Sequence, residues 1–269
     1  MTAGPVRIAA VGDLHCKITS GGAFQPMLSR AAANADVLLM CGDLADRGLP
    51  EEAEILAREI NASLNIPVVA VLGNHDYEAG QEHDVRRVLE DAGVHVLDGE
   101  ACEISGVGFA GVKGFAGGFG SRTLQPWGES TIKGFVHETV EEALKLEAAL
   151  ATLRTEQRVV LLHYAPVRGT VTGEPLEIFP FLGSSRLEEP LSRFDVTAVF
   201  HGHAHRGSTE ARTSSGIPVY NVAMPLLNRA FPGEPAYRLI EVQPTAAVST
   251  NGTHPEPEMA ITVQGDVDK

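Results

Sequence analysis

Five short apolar runs punctuate the first two hundred residues: Val6 to Val11, Val37 to Cys41, Val68 to Leu72, Val159 to Leu162 and Val196 to Phe200. Each is too short for a buried helix, so each predicts a buried strand. Between them, Phe24 to Ala35, Glu51 to Ser63 and Glu82 to Ala92 carry apolar residues at helical spacing, the alternation that builds βαβ units. His137 to Arg154 predicts a longer packing helix whose stripe is Val140, Leu144, Ala148 and Ala151. Val107 to Ala110, Pro218 to Val222 and Tyr237 to Val242 read as further strands, the last two closing a second sheet.

Polar residues stand directly behind each of the five runs. Asp13 and His15 come after the first, Gly42-Asp43 and Asp46 after the second, Gly73-Asn74-His75-Asp76 after the third, His163 after the fourth, and His201-Gly202-His203-Ala204-His205 after the fifth. Ligand-type side chains at the carboxyl ends of strands sit where α/β sheets place their binding crevice, and a glycine lets the chain turn sharply towards an ion. Carboxylate, amide oxygen and imidazole without thiolate suit borderline first-row ions, not calcium cages or structural zinc. The pattern points to a two-metal hydrolase.

In order, D-x-H, G-D-x-x-D, G-N-H-D, H and G-H-x-H resembles the calcineurin-like metallophosphoesterases over roughly residues 6 to 222. Each block alone is weak; five in order, each behind a strand, are specific. The resemblance implies an α/β fold of two facing mixed sheets flanked by helices, with a dimetal site at one edge. It implies that Asp13, His15 and His205 hold one ion, that Asn74, His163 and His203 hold the other, and that Asp43 bridges them. Mn, Fe, Zn or Co could fill such a site. It further implies attack by a metal-bridging hydroxide, with His75 as general acid or transition-state donor. Asp46 is the favoured carboxylate to orient His75, and Asp76 the reserve. Arg47, in a block that resembles the protein-phosphatase version, is a candidate phosphate ligand, with a solvated loop charge as the alternative. Those phosphatases carry an arginine directly before Gly-Asn-His, where this chain has Leu72. The closer similarity is to the bacterial phosphodiesterase branch acting on small nucleotide-like substrates, with phosphomonoesterase activity as the alternative. A non-catalytic scaffold of the same fold would have lost ligands, and this chain retains them all.

The remaining polar residues have plainer expectations. His201 is expected to make a structural hydrogen bond and not to ligate; His83, His95, His137 and His254 read as ordinary histidines, and Lys113, Arg122 and Arg186 as solvated charges. Gly106 to Gly120 is a weak phosphate-loop signal, with Lys113 to Trp127 expected as a mobile loop near the metals and Tyr164 to Glu189 as a lid or specificity loop.

Composition narrows the partners. The chain carries 21 Lys and Arg against 35 Asp and Glu, a formal charge of −14, which repels long nucleic acids and anionic membrane surfaces but leaves small phosphate esters as substrates. No apolar run approaches the ~18 residues of a membrane span, and the amino terminus lacks the look of a signal peptide, so the expected location is the cytoplasm. Cys16, Cys41 and Cys102, an odd number without a CxxC, read as reduced thiols. One domain is expected over residues 1–243, and 244–269 as a solvated tail in which Met259 to Val263 could form a late strand.

Overall fold

A computed structural model describes residues 4–244. The strands are β1 (Val6–Val11), β2 (Val37–Cys41), β3 (Val68–Val71), β4 (Val94–Val96), β5 (Glu100–Ile104), β6 (Val107–Gly111), β7 (Gln157–Leu161), β8 (Ala198–His201), β9 (Glu210–Arg212), β10 (Pro218–Asn221) and β11 (Arg238–Val242). They form two sheets, ordered β11-β1-β2-β3-β4 and β5-β6-β7-β8-β10-β9. Both are mixed: β1 to β4 run parallel with β11 antiparallel beside β1, and parallel β6, β7, β8 and β10 are flanked by antiparallel β5 and β9.

The apolar runs are nearly continuous because both faces of each central strand are covered. Along β1 and β2, Ala9, Val11, Leu38 and Met40 face one cluster with Leu28, Leu56 and Leu89 of the helices, while Ile8, Ala10, Leu39 and Cys41 face Phe109, Val159 and Phe200 of the second sheet. Helices α1 (Gln25–Asn34), α2 (Pro50–Ser63) and α3 (Glu82–Asp91) cover the first sheet, and α4 (Ser130–Thr152) covers the second. The result is helix, sheet, sheet, helix. Fully burying a side chain such as Phe109 or Phe200 stabilises by about 1.5–3 kcal/mol, and these two join the sheets.

Three sequence expectations change. β10 belongs to the second sheet, but β11 returns to the first, where Val242 pairs with Val6 and protects the edge of β1. Helix α4 begins at Ser130 and buries Val136, Thr139, Glu142, Leu146, Ala149 and Leu150. The expected stripe faces outward, with Leu144 52% exposed. A purely apolar criterion missed the true face because two of its residues are polar: Thr139 donates to the Ala116 carbonyl at 2.7 Å, and Glu142 accepts from the Gly114 amide at 2.7 Å.

Those bonds also overturn the first part of the expected mobile loop, Lys113 to Gly118, while residues 119–127 are exposed or half-buried. Lys113 to Gly118 is largely buried, and the Gly117 and Gly118 amides donate to the carbonyls of Pro180 and Gly183. The segment is thus fixed against the stretch expected to be a lid. That stretch carries its own small core of Ala165, Val171, Phe179, Leu182 and Ala204, around the short helix α5 (Phe179–Leu182). Short helix α6 (Glu188–Leu191) and helix α7 (Met224–Ala230) complete the order. Met259 to Val263 and His254 lie outside the described residues. Among the described residues no helix is long and apolar enough to cross a membrane.

Candidate metal centre

All five polar blocks converge at the carboxyl ends of β1, β2, β3, β7 and β8. The backbone there is unusual. Among the described residues, five that are not glycine have positive φ, and four of them are Asp13 (57°), His15 (46°), Asp43 (50°) and His203 (69°). Left-handed backbone at aspartate and histidine costs conformational energy, and such strain gathers where side chains must converge on a site. The neighbouring glycines make the approach possible: a Cβ at Gly42, whose φ is +79°, would enter the His163 ring, and one at Gly202 would meet the Asp13 carboxylate.

Three triads of donor atoms result, each with its atoms within 4.8 Å of one another: Asp13, His15 and His205; His15, Asp43 and His75; and Asp43, His163 and His203. Asp43 joins the two sides through different oxygens, its Oδ2 lying 3.8 Å from His15 Nε2 and its Oδ1 3.3 Å from His163 Nε2. His205 Nε2 is 2.9 Å from Asp13 Oδ1, and Asn74 Oδ1 is 2.9 Å from His163 Nε2.

Backbone carbonyls orient the rings. His163 Nδ1 lies 3.0 Å from the Cys41 carbonyl, and His203 Nε2 lies 3.1 Å from the Phe181 carbonyl. A carbonyl only accepts, so His203 Nε2 carries its proton and leaves a lone pair on Nδ1; His163, a single-proton donor when neutral, has acceptors at both nitrogens, the Cys41 carbonyl at Nδ1 and Asn74 Oδ1 at Nε2, a surplus of lone pairs that a cation would resolve. The rings are neutral: burial pushes the His163 pKa well below the usual histidine range and that of His203 down to about 3. Asp13 feels the opposite pressure, with burial pushing its pKa up to about 6 against the His205 hydrogen bond. The Asp13 hydrogen bond raises the His205 pKa in return, so among the candidate ligand histidines His205 is the one cationic candidate beside two carboxylates withdrawn from water, while burial lowers the pKa of His15, His163 and His203: the site is short of positive charge. Neutral nitrogen and anionic oxygen donors fit first-row divalent ions.

His75 sits at the rim. Its Nδ1 is 2.7 Å from the backbone carbonyl of Asp46, its ring stands edge-on to His15 with centroids 4.5 Å apart, and its Nε2 is left free of any protein hydrogen bond among the described residues. Burial works against its protonation, but the Asp46 carbonyl and the carboxylates of Asp43 and Glu78 outweigh that and raise its pKa. The expected carboxylate orienter is therefore corrected: the Asp46 carboxylate points instead to His15 Nδ1 and Lys17 Nζ, each at 3.8 Å. Asp76, the reserve, is also elsewhere. It is fully buried and accepts from the amides of Leu44, Ala45 and Gly73, tying the second and third ligand loops together. Arg47 is exposed; its amide is held by the buried Glu52 carboxylate at 2.8 Å, and among the described residues its guanidinium has no partner.

His201 uses both nitrogens within the protein, at 2.7 Å from the Gly202 carbonyl and 2.7 Å from the Thr170 hydroxyl. Lys113 departs from the expected solvated charge. It is buried, donates to the Gly114 carbonyl and lies over the rings of Tyr77, Phe115 and Tyr164 at 4.9–5.5 Å. Sequence reasoning missed Asn221, whose buried amide donates to the Ala204 carbonyl at 2.8 Å and steadies the last ligand loop. An asparagine ending an apolar strand run was its one trace. The Cys41 and Phe181 carbonyls left none, since any residue supplies a carbonyl. Cys16 and Cys41 are buried, and burial raises both thiol pKa values, that of Cys16 to about 12, so both fill space as thiols.

The family model for calcineurin-like phosphoesterases matches residues 6–207. No curated protein matches the chain by sequence. Among solved structures, the phosphopantetheinyl hydrolase PptH from Mycobacterium tuberculosis is similar with a TM-score of 0.62 at 17% identity, over 89% of this chain and 97% of that one. TT1561 of Thermus thermophilus is similar with a TM-score of 0.52 at 14% identity, over 89% of this chain and 99% of that one. At such identities the likeness is one of fold.

Proposed function

Since the chain belongs to the calcineurin-like phosphoesterase family, we propose that it is a two-metal phosphodiesterase acting on small, nucleotide-like diesters. The observation that carries the catalytic part is the position of Asp43, with one oxygen towards His15 and the other towards His163. In this reading Asp13, His15 and His205 hold one ion, Asn74, His163 and His203 the other, and Asp43 serves both. Mn, Fe, Zn or Co would suit these donors. When bound, such a pair acidifies water and polarises phosphoryl oxygens.

The residues around that pair divide the remaining work. His75, with Nδ1 committed to the Asp46 carbonyl, keeps Nε2 to donate a proton or hydrogen bond to the leaving oxygen. Arg47 reaches into solvent and supplies the one guanidinium of its loop for a non-bridging phosphate oxygen. Position 72 supports a diester over a monoester: Leu72 is buried in the helix-side core, so no cation stands where the protein phosphatases carry their second arginine. A diester monoanion needs less positive charge than a monoester dianion.

The test is hydrolysis of bis-p-nitrophenyl phosphate, p-nitrophenyl phosphate and cyclic nucleotides by protein loaded with each metal. Faster turnover of the diesters is expected. A preference for the monoester would make the chain a phosphomonoesterase, and no turnover with any metal would make it a scaffold.

A further inference from the structure

A circuit of aromatic contacts starts and ends at His203. Its ring lies 4.5 Å from that of Tyr164, Tyr164 lies 5.8 Å from Phe115, Phe115 5.0 Å from Phe135, and Phe135 6.5 Å from Phe181 in an edge-on contact. The circuit closes through the backbone, because the Phe181 carbonyl holds His203 Nε2 at 3.1 Å. Four of these rings are at least partly buried, but Phe181 is 56% exposed.

That exposure is held in place. Phe181 lies in α5 between Phe179 and Leu182, both buried in the small core with Val171 and Ala204. The flanking carbonyls of Pro180, Leu182 and Gly183 accept from the amides of Gly117, Ala165 and Gly118. The ring is therefore mounted on backbone fixed on both sides, and the carbonyl of the same residue is hydrogen-bonded to a candidate metal ligand. An exposed apolar ring on a segment whose backbone also aims a ligand histidine stands at the rim of a polar, charge-binding cluster, and binding sites combine such an anchoring charge with an apolar wall that selects an organic group.

We propose that Phe181, backed by Phe135, is a specificity shelf that receives the organic group esterified to the scissile phosphate and favours planar, apolar groups over methyl-sized ones. The inference rests on the phosphoesterase reading in one respect, that the phosphoryl group binds at the metal cluster. Truncating the Phe181 side chain leaves its carbonyl on His203, so the shelf can be removed without removing the ring's orienter.

Phenylphosphonate and methylphosphonate, which contain no ester to hydrolyse, separate the two ideas when titrated calorimetrically into the Mn-loaded wild type, Phe181→Ala and Phe135→Ala. The wild type should bind phenylphosphonate about tenfold tighter than methylphosphonate, the scale of one aromatic contact plus its buried area. Phe181→Ala should bring the two affinities within about twofold while the methylphosphonate Kd and the metal content stay at wild-type values, and Phe135→Ala should reduce the preference by a smaller factor. Equal binding of the two ligands by the wild type, or a preference that survives Phe181→Ala, overturns the shelf and leaves the phosphoesterase reading standing. Failure of methylphosphonate to bind the wild type overturns both.

Discussion

His75 is oriented by the backbone of Asp46 and not by its side chain: Nδ1 lies 2.7 Å from the Asp46 carbonyl, while the carboxylate turns to His15 and Lys17. Asp46→Asn should therefore leave His75 in place and act on the His15 side of the cluster. The expected result is an activity-versus-metal curve shifted to about tenfold higher metal, the lower end for loss of a residue behind a ligand, with kcat at saturating metal within about threefold of wild type. A kcat loss as large as that of His75→Ala would return the carboxylate to the orienting role.

His75→Ala should keep the fold and both metals and lower kcat by about 10²–10⁴, the range for a positioned acid or base. The defect should shrink for nitrophenyl esters, whose leaving groups need little protonation, relative to alkyl esters. Elemental analysis and the two ester series check this together: lost metal would make His75 a ligand, and equal defects would assign it charge stabilisation.

Asp43→Asn should abolish turnover and lower metal content, because one side chain faces both histidine groups and the amide brings no charge. Two ions per chain in the purified variant, with full activity, would contradict this. Chelation of the wild type should silence it, with recovery on adding metal back.

Asp76→Ala should be a stability lesion first. It strands the buried amides of Leu44, Ala45 and Gly73, and at about 1–3 kcal/mol for each unsatisfied group, less what water recovers, a loss of roughly 3–5 kcal/mol is expected. Urea unfolding of wild type and variant measures it. A difference under about 1 kcal/mol would show that the loops do not depend on this carboxylate.

Arg47→Ala should leave metal content and stability unchanged, since its side chain is exposed, and lower kcat/KM for phosphate diesters by about 1.5–3 kcal/mol in transition-state free energy if its guanidinium meets the phosphate. Unchanged kinetics would identify a solvated loop charge.

The sequence by itself determined the parts that depend on local order. Val6–Val11, Val37–Cys41 and the other apolar runs had to be strands covered on both faces, and the polar residues directly after them had to reach the strand ends, so Asp13, Asp43, Asn74, His163 and His203 were legible from their order along the chain. Only the tertiary structure decided how those ends are finished. Whether His75 meets the Asp46 carboxylate or its carbonyl depends on the local path of the loop backbone; whether α4 buries Leu144 or Glu142 depends on which amides of the Gly114 loop lie opposite; and where Phe181 stands depends on pairing between segments far apart in the chain, Gly118 with Ser184. Backbone groups carry no residue signature, and polar residues that satisfy them look, in sequence, like solvent-facing ones. Periodicity could place the candidate ligands on the sheet, and only the fold could choose the partners that aim them.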